Sequence, residues 1–195
     1  MFLEHGYAGA TMRAIAGRAG VSVPTLELSF GTKSRLLKAA IDVAIAGDQE
    51  PVPVLDRGWT DAAQRASTVP EFLEIVAGVI GPAQERSAGL VLAVFEGSGT
   101  DADLAELAAQ MIAQRATTAE WIIESLTGKA PLRQEWSRQE AVDTLWVLMD
   151  PAVFDRLVRH RRWTLQQYQA WFARCAARLL VDDRPPSMPP PPGGP

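Results

Sequence analysis

The sequence predicts an all-α protein, and three observations predict it. Apolar residues recur at i, i+3, i+4 spacing along every long segment, these segments are bounded by cap residues, glycine or proline, and no useful length alternates at period two. The 195 residues are 47% hydrophobic with no internal repeat, enough to bury a sizeable core under a small head and a larger second unit.

The elements follow in order. Residues 1–5 supply about one helical turn, too short to be stable alone because nucleation is unfavourable. Thr11 is an N-cap, and Met12, Ile15, Ala16 and Ala19 follow it at the spacing of one buried face. Gly20 ends that helix. Ser22 caps the next, with Pro24 in the first turn, where a missing N–H leaves nothing unsatisfied, and with Leu26 and Phe30 one turn apart. Two short helices joined by a tight glycine turn form the pattern of a helix-turn-helix DNA reader. Gly31 stops the second helix, and Thr32 caps a third that runs through Leu36, Leu37, Ala40, Ile41 and Ala44 to Gly47.

Pro51 and Pro53 at alternate positions exclude a helix and make residues 47–59 an extended connector. A helix is expected from about Val69, carrying Phe72, Leu73, Val76, Val79 and Ile80, and ending near Gly81-Pro82. Residues 87–95 are almost wholly apolar and predict a separate helix buried on most sides, broken after Phe95 by residues 97–100. Residues 101–126 give the longest helical pattern, through Leu104, Leu107, Ala108, Met111, Ile112, Ile122, Ile123 and Leu126, with Gly128 as its stop. Ser137 and Glu140 make a capping box for a helix to Met149. Asp150-Pro151 breaks it, a short helix carries Val153, Phe154, Leu157 and Val158, and Thr164 caps a last helix to about Val181. The expected organisation is a head at 1–46, the connector at 47–59, a helical body at 60–182 and a disordered proline-rich tail at 183–195.

Phe2, Gly6-Tyr7, Thr11, Ile15-Ala16, Ala19-Gly20-Val21-Ser22, Thr25-Leu26, Phe30, Lys33 and Leu36-Leu37 together resemble the DNA-binding domain of TetR-type bacterial transcription regulators. A second, looser resemblance to the closing segment of such regulators covers residues 146–180, with Trp146, Arg162-Trp163-Thr164 and the Tyr168/Trp171/Phe172 helix. The resemblance implies an all-helical homodimer in which the second motif helix enters the major groove of an operator, while a larger domain holds a small-molecule pocket and the dimer contact. It also implies a longer helix before Gly6-Tyr7 than residues 1–5 provide, so either the start lies upstream of Met1 or the head packs with part of its core missing. Glu27 stands where the family commonly has a phosphate-binding Tyr, and Ser29 where an aromatic or His is usual.

On this basis Thr11, Arg13 and Lys33 are the expected phosphate contacts, and Ser22, Val23, Pro24, Thr25, Glu27 and Leu28 the expected base-facing residues. The carboxylate of Glu27 repels phosphate but can accept from a cytosine amino group. Phe95, Trp121, Trp146 and Met149 are the expected pocket lining, with Trp136 a further aromatic, although each suits ordinary core packing equally well. Trp146, Tyr168, Trp171, Phe172 and Cys175 are the expected dimer contacts, with internal packing the alternative.

The net charge of −4 divides unevenly. Residues 1–46 carry Arg13, Arg18, Lys33, Arg35 and Lys38 against Glu4, Glu27 and Asp42, a balance of +2 that leaves −6 for the rest. A mildly basic head on an acidic body suits a head that touches phosphate. His5 and His160 are the only histidines and Cys175 the only cysteine, so metal-ligand and Cys/His nucleophile spacings are absent, as are a phosphate-binding loop and a G-x-S-x-G elbow. No enzyme, cofactor or metal is expected. No apolar run is long enough to cross a bilayer and no signal peptide is visible, so a cytoplasmic location is expected. The expected function is a ligand-responsive repressor that binds a palindromic operator as a dimer. The alternative is a dimeric ligand- or protein-binding helical module that has lost DNA binding.

Overall fold

The computed structural model describes residues 1–182, so the expected tail at 183–195 lies outside the described residues. Ten α-helices follow one another among them, with no strand beyond a single antiparallel bridge between Leu132 and Val181. They are α1 (Phe2–Gly9), α2 (Met12–Ala19), α3 (Val23–Phe30), α4 (Lys33–Ala46), α5 (Trp59–Arg65), α6 (Val69–Gly97), α7 (Ala102–Thr127), α8 (Arg138–Leu148), α9 (Pro151–Phe154) and α10 (Leu165–Leu180). The all-α expectation holds, and so do the caps. Thr11, Ser22, Thr32 and Ser137 each accept a hydrogen bond from a backbone N–H of the helix they open, Thr164 does so within a second capping box, and Asp101, not singled out from the sequence, caps α7 in the same way.

The short first turn is held by tertiary packing. The chain is interrupted at Gly6, yet Phe2 is buried and joins Ala10, Leu37 and Ile41 in a core shared with Val91 and Val94 of α6 and with Leu104, Leu107 and Met111 of α7. A larger core fills the other end of the body, where α5, the first half of α6, the second half of α7, α8 and α10 meet around Phe72, Leu73, Ile122, Ile123, Leu145 and Phe172. Since α6 and α7 exchange halves between the two cores, they run antiparallel. A third cluster joins Ala88, Phe154 and Tyr168.

Several expectations are corrected. The helix expected to stop at Gly81-Pro82 continues as one 29-residue helix that includes residues 87–95. Gly81 is buried, and a Cβ there would lie 2.8 Å from Cγ of Gln169 on α10, so it is glycine for close packing between helices rather than for a stop. Pro82 deprives the carbonyl of residue 78 of its helical partner, but Gly78 is exposed and water can serve it. Helix α5 stands inside the segment where no helix was expected; it has seven residues and its N-cap, Gly58, offers no side-chain cap. Residues 155–160, expected to continue a short α-helix, wind as a π-helix. Ala19 and Phe30, expected on buried faces, are exposed, as is Ile112 on α7.

Candidate DNA-reading head and ligand cavity

In the motif, α2 ends at Gly20 with φ 71°, a left-handed cap that a residue with a Cβ adopts at a cost. That turn carries the chain into α3, anchored by Leu26, which is 6% exposed. Ser22 Oγ accepts from the N–H of Thr25 at 3.2 Å and lies 2.7 Å from the Thr25 hydroxyl, and Ser29 Oγ donates to the Thr25 carbonyl at 3.0 Å. Ser22 at the N-cap and Pro24, Thr25, Glu27, Leu28, Ser29 and Phe30 of α3 are exposed, with Val23 half-buried. Leu28 is 90% exposed, which is unusual for a leucine on a helix that buries another leucine two residues earlier.

Thr11 and Arg13 are exposed at the start of α2, and the Thr11 hydroxyl accepts from Ala14 N–H at 3.2 Å. Lys33, half-buried, donates from Nζ to the carbonyl of Tyr7 at 2.9 Å and stands 4.0 Å from the centre of its ring. Arg18 forms a two-pronged pair with Glu4, which ties α2 to the first turn and holds the Glu4 carboxyl down to about 2. The head is joined to the body by Ser34 Oγ, which donates to Asp103 Oδ2 on α7 at 2.8 Å.

Behind the head lies a cavity of about 760 Å³ walled by α4, the connector, α6 and α7 and closed by Met149 and Pro151. This volume is in the range of small-ligand sites. Of the expected lining, Phe95 and Met149 are on the wall. Trp121 instead packs edge-to-face against Trp59 at 5.0 Å, and it is Trp59 that faces the cavity. Trp146 lies behind the wall, its ring 3.9 Å from the guanidinium of Arg115, and Trp136 is likewise off the cavity. Arg115 and Gln84, neither of them expected from the sequence, are both wall residues. Burial lowers the Arg115 pKa while Asp150, 2.9 Å away, raises it.

The connector is a folded strap. Arg57 makes a two-pronged pair with Asp48 at 2.6 and 2.9 Å and also donates to the carbonyls of Val52 and Glu50, while Trp59 Nε1 donates to the Val54 carbonyl at 2.6 Å. Of the expected dimer contacts, Tyr168 and Phe172 belong to the core of the chain itself, because the 168/172/176/180 stripe of α10 faces inward. Tyr168 packs edge-to-face on Phe154 at 4.9 Å. Trp146, Trp171 and Cys175 are half-buried, near the exposed Val147 and Leu179. Burial raises the Cys175 thiol pKa, so it stays protonated and apolar. Among the described residues, no three His, Cys, Asp or Glu side chains are grouped as a metal site, and no helix is long and apolar enough to cross a membrane.

This combination defines a class: a helix-turn-helix head packed on an all-helical body, with a cavity between them. Residues 1–40 match the family model of the bacterial regulatory proteins of the tetR family. The head at residues 1–40 is thus similar to that of the tetR family, whose members are DNA-binding transcription regulators. Its fold is similar to that of a putative TetR-family transcriptional regulator from Rhodococcus sp., with TM-score 0.65, 12% identity and 92% of each chain covered. It is also similar to a putative transcriptional regulator from Rhodococcus sp. RHA1, with TM-score 0.58 and 23% identity over 90% of this chain and 88% of the other. A third is the ketosteroid transcriptional regulator KstR2 of Mycobacterium tuberculosis, with TM-score 0.56 and 16% identity over 94% of this chain and 90% of the other. No curated protein matches the chain in sequence.

Proposed function

We propose that the protein is a cytoplasmic, ligand-responsive repressor that binds a palindromic operator as a homodimer and acts by binding rather than by catalysis. The observation that carries this reading is the double role of α4. Its N-terminal Lys33 is fixed against Tyr7 of the head, and its residues 38, 39, 42, 43, 45 and 46 form one wall of the cavity. A molecule filling the cavity therefore presses on the helix that follows the reading motif. It weakens DNA binding only if it prefers the conformation that cannot bind DNA, since equal affinity for both shifts nothing.

On the DNA, Thr11, Arg13 and Lys33 hold phosphates and set the register. Ser22, Val23, Pro24, Thr25, Glu27 and Leu28 face the bases, with Leu28 suited to a thymine methyl and Glu27 to a cytosine amino group. Residues 1–46 act as the head, 47–59 as the connector and 60–182 as the effector and dimer unit, with Trp146, Trp171 and Cys175 at the partner-facing edge of α8 and α10. The test is selection of bound duplexes from a random pool by the full-length protein. An enriched inverted repeat is expected, with half-sites spaced by about one helical turn or a multiple of it. A pool that stays unenriched while the protein still binds small molecules would instead identify a helical ligand-binding module without DNA reading.

A further inference from the structure

Helix α4 carries Lys33 and directly follows the reading motif, and side chains tie it to the body at its two ends. At the C-terminal end Arg86 of α6 donates to the carbonyls of Ala44 and Ile45. At the N-terminal end Ser34, 7% exposed, donates to Asp103 Oδ2 of α7 at 2.8 Å. Among the described residues no other side-chain hydrogen bond or ion pair links residues 1–46 to the body.

The N-terminal tie has one direction. A carboxylate only accepts, so the single Ser34 hydroxyl proton goes to Asp103, and the Thr32 hydroxyl, 2.7 Å from Ser34 Oγ, donates to Ser34. Thr32 in turn accepts from the N–H of Arg35 as the cap of α4. The chain from Thr32 through Ser34 to Asp103 therefore joins the start of α4 to the body, with Lys33 between its first two members in sequence. Lys33 is itself fixed to Tyr7, whose hydroxyl pKa is raised by burial and then by Asp101 and Asp103 beside it. On its own helix Asp103 needs nothing from Ser34. It lies in the first turn of α7, where the helix dipole favours a negative charge, and Asp101 caps that turn by accepting from Leu104 N–H at 3.1 Å. The bond to Ser34 thus adds little to the body and acts on where the head sits against it.

We propose that Asp103 is a positioning residue for DNA recognition: through Ser34 it fixes the start of α4, and with it Lys33 and α3, against the body, so that the dimer accepts one half-site spacing. This rests on the reading of the protein as a dimeric operator binder. The test compares full-length Ser34→Ala, Asp103→Ala and Asp103→Asn, the last of which removes the charge but keeps an acceptor for Ser34. Each base pair inserted between half-sites moves them apart by about 3.4 Å and turns them by about 34°, which a fixed head cannot follow. The unaltered protein and Asp103→Asn are expected to bind the selected spacing about tenfold more tightly than one changed by a base pair, the scale of one hydrogen bond. In Ser34→Ala, Asp103→Ala and their double variant this preference should fall alike to about threefold or less, with the half-site sequence preference unchanged. Unaltered spacing preference in Ser34→Ala overturns the assignment. So does its loss in Asp103→Asn, which would make the effect one of charge, or a parallel loss of half-site sequence preference, which would mean a disturbed head. A second measurement needs no DNA: spin-label distance distributions between Ala19→Cys and Glu120→Cys, both exposed, in a Cys175→Ser background with labelled chains diluted in unlabelled protein. The distribution should broaden in Ser34→Ala and Asp103→Ala and stay narrow in Asp103→Asn; equal widths in all of them overturn the proposal. A protein that selects no inverted repeat yet shows this broadening loses the operator reading and keeps the Asp103 tie as what sets the head.

Discussion

Lys33 and Thr25 stand one helix apart and should behave differently under substitution. The Lys33 ammonium is held by the Tyr7 carbonyl and ring, so it is pre-positioned at the start of α4. Lys33→Ala should weaken operator and random duplexes alike and also lower stability by about 1–2 kcal/mol, the sum of one hydrogen bond and one exposed cation–π contact. Thr25→Ala should instead change operator preference by about 1–3 kcal/mol with little effect on random DNA. Fluorescence anisotropy on both duplexes separates the two, and equal effects on both duplexes from Thr25→Ala would remove it from the base-reading set. Glu4 gives a pH prediction. Its carboxyl is lowered from 4.5 to about 2, first by the hydrogen bond from Arg18 and then by that from the N-terminal ammonium. A depressed carboxyl pKa stabilises the fold above the ordinary value and loses that contribution as pH falls through the folded value. The Tm difference between the protein and Glu4→Gln should therefore be constant above about pH 5 and shrink toward pH 2; a difference that persists unchanged to that pH contradicts the pairing. At this scale the caps were legible, because Thr11, Ser22, Thr32 and Ser137 sit directly before apolar periodicity. Arg115 and Gln84 were legible in principle and missed. Arg115 falls in the apolar stripe of Leu104, Ala108, Met111, Ala119 and Ile122, and Gln84 falls between Ile80 and Val91 on that of α6. A polar residue inside such a stripe marks a polar end to a cavity better than an aromatic does, since aromatics fill cores as readily as they line pockets.

Helix α6 is the element on which sequence reading failed most and on which the architecture most depends. It packs against α1, α4, α5, α7, α9 and α10, and Gly81 and Pro82, which read locally as a stop, are accommodated by Gln169 of α10 on one side and by solvent on the other. That accommodation is tertiary, so no local pattern reports it. Helix α5 and the π-turn were missed for a related reason: one is short and lacks a side-chain cap, and the other has the same apolar spacing as an α-helix over so few residues. By contrast α2, α3, α4, α7, α8 and α10 were legible because cap, stripe and stop agree for each. The join between α6 and α4 gives the prediction at this scale. Arg86 of α6 donates to the carbonyls of Ala44 and Ile45 at 2.7 and 3.1 Å, satisfying acceptors that the last turn of α4 leaves open and placing a cation at its negative end. Arg86 is exposed, so the loss in Arg86→Met should be about 1 kcal/mol by urea unfolding, at the low end for charged hydrogen bonds. Amide exchange should speed up selectively in the last turn of α4 and in the strap after it; uniform exchange across the body would place the effect elsewhere.

On the scale of the whole molecule, the head has no core of its own. Phe2, Ala10, Leu37 and Ile41 share theirs with α6 and α7, so a change in the body reaches the reading helix through packed side chains and not through a flexible joint. The electrostatics divide differently, with +2 on residues 1–46 and −6 on the remainder, so the head must supply the attraction to DNA while the body opposes it. Not every head cation is available. Arg18 is committed to Glu4, and Lys38 is committed to Asp42. Arg13 and Arg35 are exposed and make no ion pair among the described residues, and Lys33 presents the part of its ammonium that Tyr7 does not occupy. Three cations per head and two heads per dimer give about six neutralised phosphates and a slope of about −5 in log K against log salt. Operator affinity should then fall by about 10³ between about 50 and 200 mM salt. A slope near −2 to −3 would mean that one head engages at a time, which would defeat the palindromic reading. A slope steeper than about −8 would require cations from outside the head. One such group is Arg156, Arg159, Arg161 and Arg162, where Arg159 is partly held by Asp155 and stands beside Leu3 of α1 against Gly89 of α6. Charge reversal of Arg161 and Arg162 together separates these cases. It should leave the slope unchanged if the head alone meets the backbone, and flatten it by about 4 if both residues in both subunits bind phosphate.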